Sequence, residues 1–223
     1  MTKDQLIKQI KSTSVSMVFD ALIKLGYKAD KVLMSDIRPI VNLEKLMVGV
    51  ARTMKYEISR DFPTLDDLNI AREGIDGAVP GEVLVQDGSG YMLAFFGGIF
   101  ARGAKNRGMI GAVVNGCTRD VLEIKAMGLH VFAKGVTPAG GSLYFRPVAV
   151  NTRVNCGGLQ VEPGDIIVGD SDGVVVISSD AFGAVSEALR NISEKEEKAV
   201  KSLNGGKSLV KSYPTIEIGK TKV

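Results

Sequence analysis

Gly97-Gly98-Ile99-Phe100-Ala101-Arg102-Gly103-Ala104-Lys105-Asn106-Arg107-Gly108-Met109-Ile110-Gly111-Ala112-Val113-Val114-Asn115-Gly116-Cys117-Thr118-Arg119-Asp120 is the stretch around which the chain is organised. It reads as a glycine turn, a short helix, a buried strand and a second tight turn. Residues 110–114 are a short apolar run rich in β-branched side chains, the pattern of a strand covered on both faces. Gly108 stands where the preceding helix should stop, and Gly116 where a sharp turn is expected after the strand. Arg119-Asp120 then opens a helical pattern (Val121, Leu122, Ile124, Lys125, Met127) that closes at Gly128.

Gly97-Gly98 and Thr118-Arg119 both fall at expected helix starts, where free N–H groups favour an anion. Asp120 suits the positive end of a helix dipole, whereas Arg119 beside it does not. The pair reads in two ways. It is a structural ion pair, or Arg119 is a planar fork for a carboxylate or phosphate. In the second reading Asp120 is available to ligate a hard divalent cation through oxygen.

Length and composition bound the rest. The 223 residues suffice for one large or two small domains, and no linker argues for two. One domain is therefore expected over 1–223, with a core at about 12–180 and a C-terminal helix and tail at 180–223. With 45% apolar and 24% charged residues the chain is of ordinary soluble composition. The longest uncharged, mainly apolar stretch, 91–101, is too short to cross a bilayer, and the first five residues lack a signal peptide's apolar core. Cys117 and Cys156 make no disulfide framework, so a reducing cytoplasm and two small buried thiols are expected. The single histidine argues against a Cys–His nucleophile.

The net charge of +3 is modest. Residues 190–223 hold eight Lys/Arg against four Asp/Glu, so the excess sits in a solvated tail. No aromatics interleave with those charges as a nucleic-acid surface requires, so neither nucleic acid nor a membrane is expected as partner.

Along the chain, an amphipathic helix is expected at 3–11, and a second, capped by Ser12-Thr13-Ser14, closes at Gly26. A strand at 47–56, a Thr64-capped helix, and a strand at 83–86 ending in the Asp87-Gly88-Ser89-Gly90 turn follow. Beyond the central unit come a strand at 130–135 and a Pro/Gly loop at 136–141 that should lie near the site. Short β runs at 145–156, 159–161, 166–168 and 174–177 and a long helix over about 180–203 complete the chain. Strand–helix alternation in the middle followed by consecutive strands defines an α/β class.

Other signals read as structure. Asp170-Ser171-Asp172-Gly173 is a β-turn and not a calcium loop, because the twelfth position is Ala181 and not glutamate. Gly140-Gly141 and Gly157-Gly158 lack the surroundings of phosphate loops, and His130 reads as a packed strand residue. Glu194, Glu196 and Glu197 read as a solvated helix face.

The segments 111–120 and 128–135 resemble the RraA-like family, which includes divalent-metal-dependent 4-hydroxy-4-methyl-2-oxoglutarate aldolases. Residues 156–165, 170–174, 16–22 and 80–85 extend the resemblance over roughly 12–210. It implies a swivelling β/β/α sandwich with flanking N- and C-terminal helices, assembled as a homotrimer or hexamer with sites between subunits. On the matching positions, Arg119 would bind the pyruvyl portion of a small 2-oxo acid. Asp120 would ligate Mg²⁺ or Mn²⁺, and the backbone at Gly97, Gly98, Ile99 and Phe100 would hold the substrate carboxylate. Glu197, or its neighbours Glu194 and Glu196, would approach the metal waters from an adjacent subunit. Two positions depart: Gly98 stands where the aldolase pattern has an acid, and Asn115 where an aspartate is common.

The resemblance thus implies a class II pyruvate aldolase or lyase for 4-hydroxy-2-oxo acids, with oxaloacetate decarboxylation through the same enolate. It also leaves open a regulator of the RraA type that binds a protein such as a ribonuclease, and a lyase or isomerase for another sugar acid.

Overall fold

The computed structural model describes residues 2–41, 44–59 and 61–213, so the last part of the expected tail, 214–223, lies outside it. Two short helices open the chain. α1 (Lys3–Ile10) is closed at its start by a reciprocal pair, Thr2 Oγ1 accepting the Gln5 N–H and Gln5 Oε1 accepting the Thr2 N–H. α2 (Val15–Lys24) is capped by Ser14 and followed by Gly26 at φ 92°, as the sequence expects. Next come β1 (Arg38–Val41), the long β2 (Met47–Ile58), α3 (Leu65–Asp76) capped by Thr64, and β3 (Glu82–Asp87). The central unit is β4 (Ala94–Phe96), α4 (Gly98–Asn106), β5 (Gly111–Thr118), α5 (Val121–Met127) and β6 (His130–Val136). The chain continues through β7 (Phe145–Val150), β8 (Val154–Cys156), β9 (Leu159–Val161), β10 (Ile166–Asp170) and β11 (Gly173–Ile177). It then enters α6 (Phe182–Asn204) and α7 (Leu209–Ser212).

The main sheet runs β1-β6-β5-β3-β2-β10-β11, with β4 added to the far end of β5 and β7 to the far end of β2. β2, β3, β5 and β6 are parallel neighbours, whereas β1, β7 and β10 join antiparallel. Val32 and Met34 bond to the outer edge of β11 through Val176 and Val174. Ser35-Asp36-Ile37 then lead directly into β1 on the opposite edge, so the sheet curls until its edges almost meet. With the β8–β9 ribbon on one side and the helices outside, this is the expected β/β/α sandwich.

Successive strand residues feed different cores, because side chains alternate across a pleated strand. On β3, Leu84 packs outward with Ile75 and Ala101, while Val83 and Val85 join the inner core around Phe132, Leu159 and Val161. On β5, Ala112 and Val114 go outward and Val113 inward. A third core joins α1, α2 and α6 to β10 and β11 through Leu6, Val18, Leu22, Val168, Val175 and Leu189. Cys117, Cys156 and His130 are buried, as expected, and burial pushes both thiols up and the imidazole down from their ordinary pKa values.

One expectation fails. Gly116 does not turn the chain; it lies inside β5, which continues to Thr118. A Cβ there would sit 2.6 Å from the Phe95 ring. Cβ positions at Gly88 and Gly141 would meet the same ring, so these glycines are a nest for Phe95. The expected turn at Asp170-Ser171-Asp172-Gly173 does link β10 to β11. There Asp170 accepts the N–H groups of Val15 and Asp172, and Asp172 accepts the Ser16 hydroxyl, which ties the turn to the start of α2.

Candidate active site at the carboxyl ends of two parallel strands

β4 and β5 are parallel and end side by side. Their following loops are tied by main-chain contacts: Arg119 N–H donates to the Phe96 carbonyl (3.0 Å), and Cys117 N–H to that of Leu93 (2.9 Å). The Thr118 hydroxyl donates to the same Phe96 carbonyl at 2.9 Å. Each strand then yields to a helix, α4 capped by Gly97 and α5 preceded by Asp120. Loops at the carboxyl ends of parallel strands are where α/β sheets place ligands.

Asp120 adopts a left-handed conformation, φ 58° and ψ 37°, which aspartate tolerates better than most residues. Its side chain makes no hydrogen bond to the start of its own helix. Instead Oδ2 accepts the Gly98 N–H at 2.8 Å and lies 3.6 Å from Arg119 Nε. Both side chains are about half exposed, at 50% for Arg119 and 43% for Asp120. Gly97 makes this approach possible, since a Cβ there would lie 2.9 Å from Asp120 Oδ2 and 3.0 Å from Arg119 Cγ. Arg119 Nη1 lies 3.3 Å from where a Cβ on Gly140 would stand, and Gly140 lines the same cleft, so the 136–141 loop comes to the site as expected.

A cleft of about 240 Å³ opens from this corner. Gly97, Gly98, Ile99, Phe100, Arg119 and Asp120 line it together, so the structure gathers these expected residues in one place. Its other end is Tyr56, Phe95 and Phe145 with Leu68, Ala71 and Arg72 of α3. Burial raises the Tyr56 phenol far above its ordinary pKa, and Gln86 Nε2 donates to its oxygen at 2.9 Å. Tyr56 therefore stays protonated at neutral pH.

The geometry modifies four expectations. The Gly98 N–H is occupied by Asp120, leaving the first-turn amides of Ile99 and Phe100, which have no acceptor among the described residues, to receive an anion. The Arg119 N–H is likewise satisfied by Phe96, so this donor at the expected Thr118-Arg119 site is taken. Asn115 is remote from the corner. It donates to Asp87 (3.3 Å) and to the Asn155 carbonyl (3.1 Å), on the face that holds the β8–β9 ribbon. Glu197 lies outside the cleft of its own chain, in a second hollow with Ser12, Met17, Glu196, Val200, Lys201 and Asn204.

Glu123 is the residue that reading the sequence missed. Its carboxylate fills the space beside Gly98: all three atoms nearest to a Cβ built there belong to it, its Cδ at 2.9 Å. Oε1 is held by Arg102 at 2.7 Å. The Asp120-Val121-Leu122-Glu123 spacing, an acid at a helix start and another three residues on, was the available signal.

Among the described residues no helix is long and apolar enough to cross a membrane. Fold and site together define an α/β protein with a guanidinium–carboxylate corner at the ends of two parallel strands. The chain matches the RraA-like family, described as Aldolase/RraA, over residues 15–176, and it belongs to that family. An uncharacterized protein of Methanocaldococcus jannaschii is 37% identical over 179 residues, covering 79% of this chain and 82% of that protein. A Halalkalibacterium halodurans protein with the provisional name 4-hydroxy-4-methyl-2-oxoglutarate aldolase is 30% identical over 207 residues, covering 92% of this chain and 90% of the other. Among solved structures, Streptomyces coelicolor RraAS2, described as an unusual member of the RNase ES inhibitor RraA protein family, superposes with a TM-score of 0.77 at 24% identity, covering 88% of this chain and 96% of that one. An uncharacterized Pseudomonas syringae protein gives a TM-score of 0.80 at 21% identity, with 94% and 96% covered. These two likenesses speak for the fold.

Proposed function

We propose that this protein is a divalent-metal-dependent carbon–carbon lyase that releases pyruvate from 4-hydroxy-2-oxo acids of the 4-hydroxy-4-methyl-2-oxoglutarate kind, with oxaloacetate decarboxylation at the same site. The observation that carries this reading is the Arg119–Asp120 corner, half exposed at the mouth of a small cleft and facing the open amides of Ile99 and Phe100. The provisional name of the Halalkalibacterium halodurans relative supports it.

The donor chemistry fits Mg²⁺ or Mn²⁺. Asp120 offers a partly exposed carboxylate oxygen, the ligand a hard cation prefers, and Gly97 leaves clear the space in which that carboxylate sits. A cation bound there supplies Lewis acidity to the 2-keto group toward which electrons flow when the C3–C4 bond breaks.

The chain's own groups do the rest. Arg119 pairs its fork with the substrate carboxylate, and the Ile99 and Phe100 N–H groups add donors at the positive end of α4. Fixing the 2-oxo acid in this way holds C3–C4 in one orientation as the bond cleaves. Phe95, Phe145 and protonated Tyr56 wall the cleft and limit water at the reacting carbons. The hydroxyl proton at C4 must leave and a proton must return to C3. Glu197 of a second copy of the chain is the group we assign near that transfer. Ile99 and Leu122 flank the corner at 81% and 84% exposure, apolar surface of the kind a neighbouring subunit covers.

The test is pyruvate release from 4-hydroxy-4-methyl-2-oxoglutarate and from oxaloacetate with Mg²⁺, with Mn²⁺ and with EDTA. Turnover that EDTA abolishes and either metal restores is the expected result. Turnover confined to other hydroxy acids would replace the substrate. Absence of both turnover and Mn²⁺ binding would leave the non-enzymatic regulator.

A further inference from the structure

Asp120 and Glu123 occupy the N-cap and third positions of α5, from which an acidic pair ordinarily satisfies the free amides of its own helix. Neither does so here. The left-handed backbone of Asp120 swings its carboxylate away from α5 and onto the Gly98 N–H. Glu123 lays its carboxylate over the Gly98 Cα, with Oε1 anchored by Arg102 and Oε2 the closer of its two oxygens to the absent Cβ. Two anions have thus been turned from a stabilising local role toward one residue of the neighbouring loop.

Each is partly neutralised by its own arginine, Asp120 by Arg119 and Glu123 by Arg102. Like charges three residues apart on a helix repel, and a divalent cation between them converts that repulsion into attraction. Both carboxylates remain about half exposed, so neither is closed to a ligand.

We infer that Glu123 is the second carboxylate of the cation site, delivered from α5 into the space that the missing side chain at position 98 leaves, with Arg102 as its positioning residue. This rests on the metal-dependent reading above and goes beyond it by assigning the acidic group to a residue outside the Arg119-Asp120 turn. The backbone at 98 does not itself bar a side chain: its φ lies outside the left-handed region, and Glu123 supplies all three of the nearest atoms a Cβ would meet. The inference therefore makes a reciprocal demand. A carboxylate brought in at position 98 should replace Glu123 once Glu123 is shortened.

Mn²⁺ binding, read by the electron paramagnetic resonance signal of the free ion and by titration calorimetry, tests this without substrate. Glu123→Gln should weaken Mn²⁺ binding about ten- to a hundredfold, the usual effect of losing a supporting group at a metal site. Arg102→Gln should weaken it less. The double variant Gly98→Asp with Glu123→Ala should regain most of the affinity that Glu123→Ala alone loses. All four side chains concerned lie at the surface or in the freed space, and circular dichroism confirms folding. If Glu123→Gln binds Mn²⁺ like the parent while Asp120→Asn does not bind it, the assignment of Glu123 is overturned and the lyase reading stands. If the parent itself takes up no Mn²⁺, both fall together.

Discussion

The Gly98 N–H donates to Asp120 Oδ2 across 2.8 Å, joining the start of α4 to the residue before α5. One oxygen of the carboxylate is thereby fixed in place by the backbone. Asp120→Asn keeps the side-chain length and the tolerance for a left-handed conformation. It should change stability by no more than about 0.5 kcal/mol while lowering metal-dependent pyruvate release at least about a hundredfold. Asp120→Ala should lose activity equally and, with a non-polar residue at φ 58°, cost about 1 kcal/mol more in thermal unfolding.

Arg119 Nη1 occupies space that a side chain at Gly140 would need, 3.3 Å from where its Cβ would stand, while Nε faces Asp120. Lysine carries the charge without the fork. Arg119→Lys should lower kcat/KM by about ten- to a hundredfold, or about 1.4 to 2.7 kcal/mol. Steady-state kinetics should show much of that loss in KM, because the interaction is with a substrate carboxylate present before and after bond cleavage.

Gly116 faces the Phe95 ring at a distance no real Cβ accepts. Gly116→Ala should therefore force the ring from its nest and cost about 1–3 kcal/mol. Since Phe95 also walls the cleft, a rise in KM should accompany the lowered Tm, and differential scanning calorimetry with kinetics on one preparation checks both.

His130 is buried and its imidazole pKa is lowered by desolvation. The folded state therefore holds fewer protons than the unfolded chain below about pH 6.5, so stability should be full above that value and fall as pH drops toward the folded pKa. Urea unfolding between pH 5 and 8 should show this slope, and His130→Gln should flatten it.

The frame of the site is legible in the sequence. A β-branched run flanked by glycines marks β5, and Gly108 and Gly128, both at positive φ, end α4 and α5 where expected. The reading failed where the answer is a contact through space. Gly116 looks like a turn residue until Phe95, far from it in sequence, is seen occupying its missing side chain. Asn115 stands out in the sequence only as a departure from the family pattern, and β5 is buried along its whole length. No polar alternation tells which face Asn115 takes. Its amide instead serves Asp87 and the ribbon beyond. Glu123 stands in the position of an ordinary capping acid, and nothing in the sequence shows that Asp120 is left-handed.

The two strand ends at the cleft are fastened to one another by main-chain bonds from Cys117 to Leu93 and from Arg119 to Phe96, with the Thr118 hydroxyl on Phe96 and the Asp120 carboxylate on the Gly98 N–H adding side-chain ties. The exposed side chains at 99 and 122 hang from that lattice without being part of it. Diversification of the kind that lets one scaffold serve many acids can then proceed at those two places while the strands beneath keep their register. A library restricted to them is the economical route to new specificities in this chain.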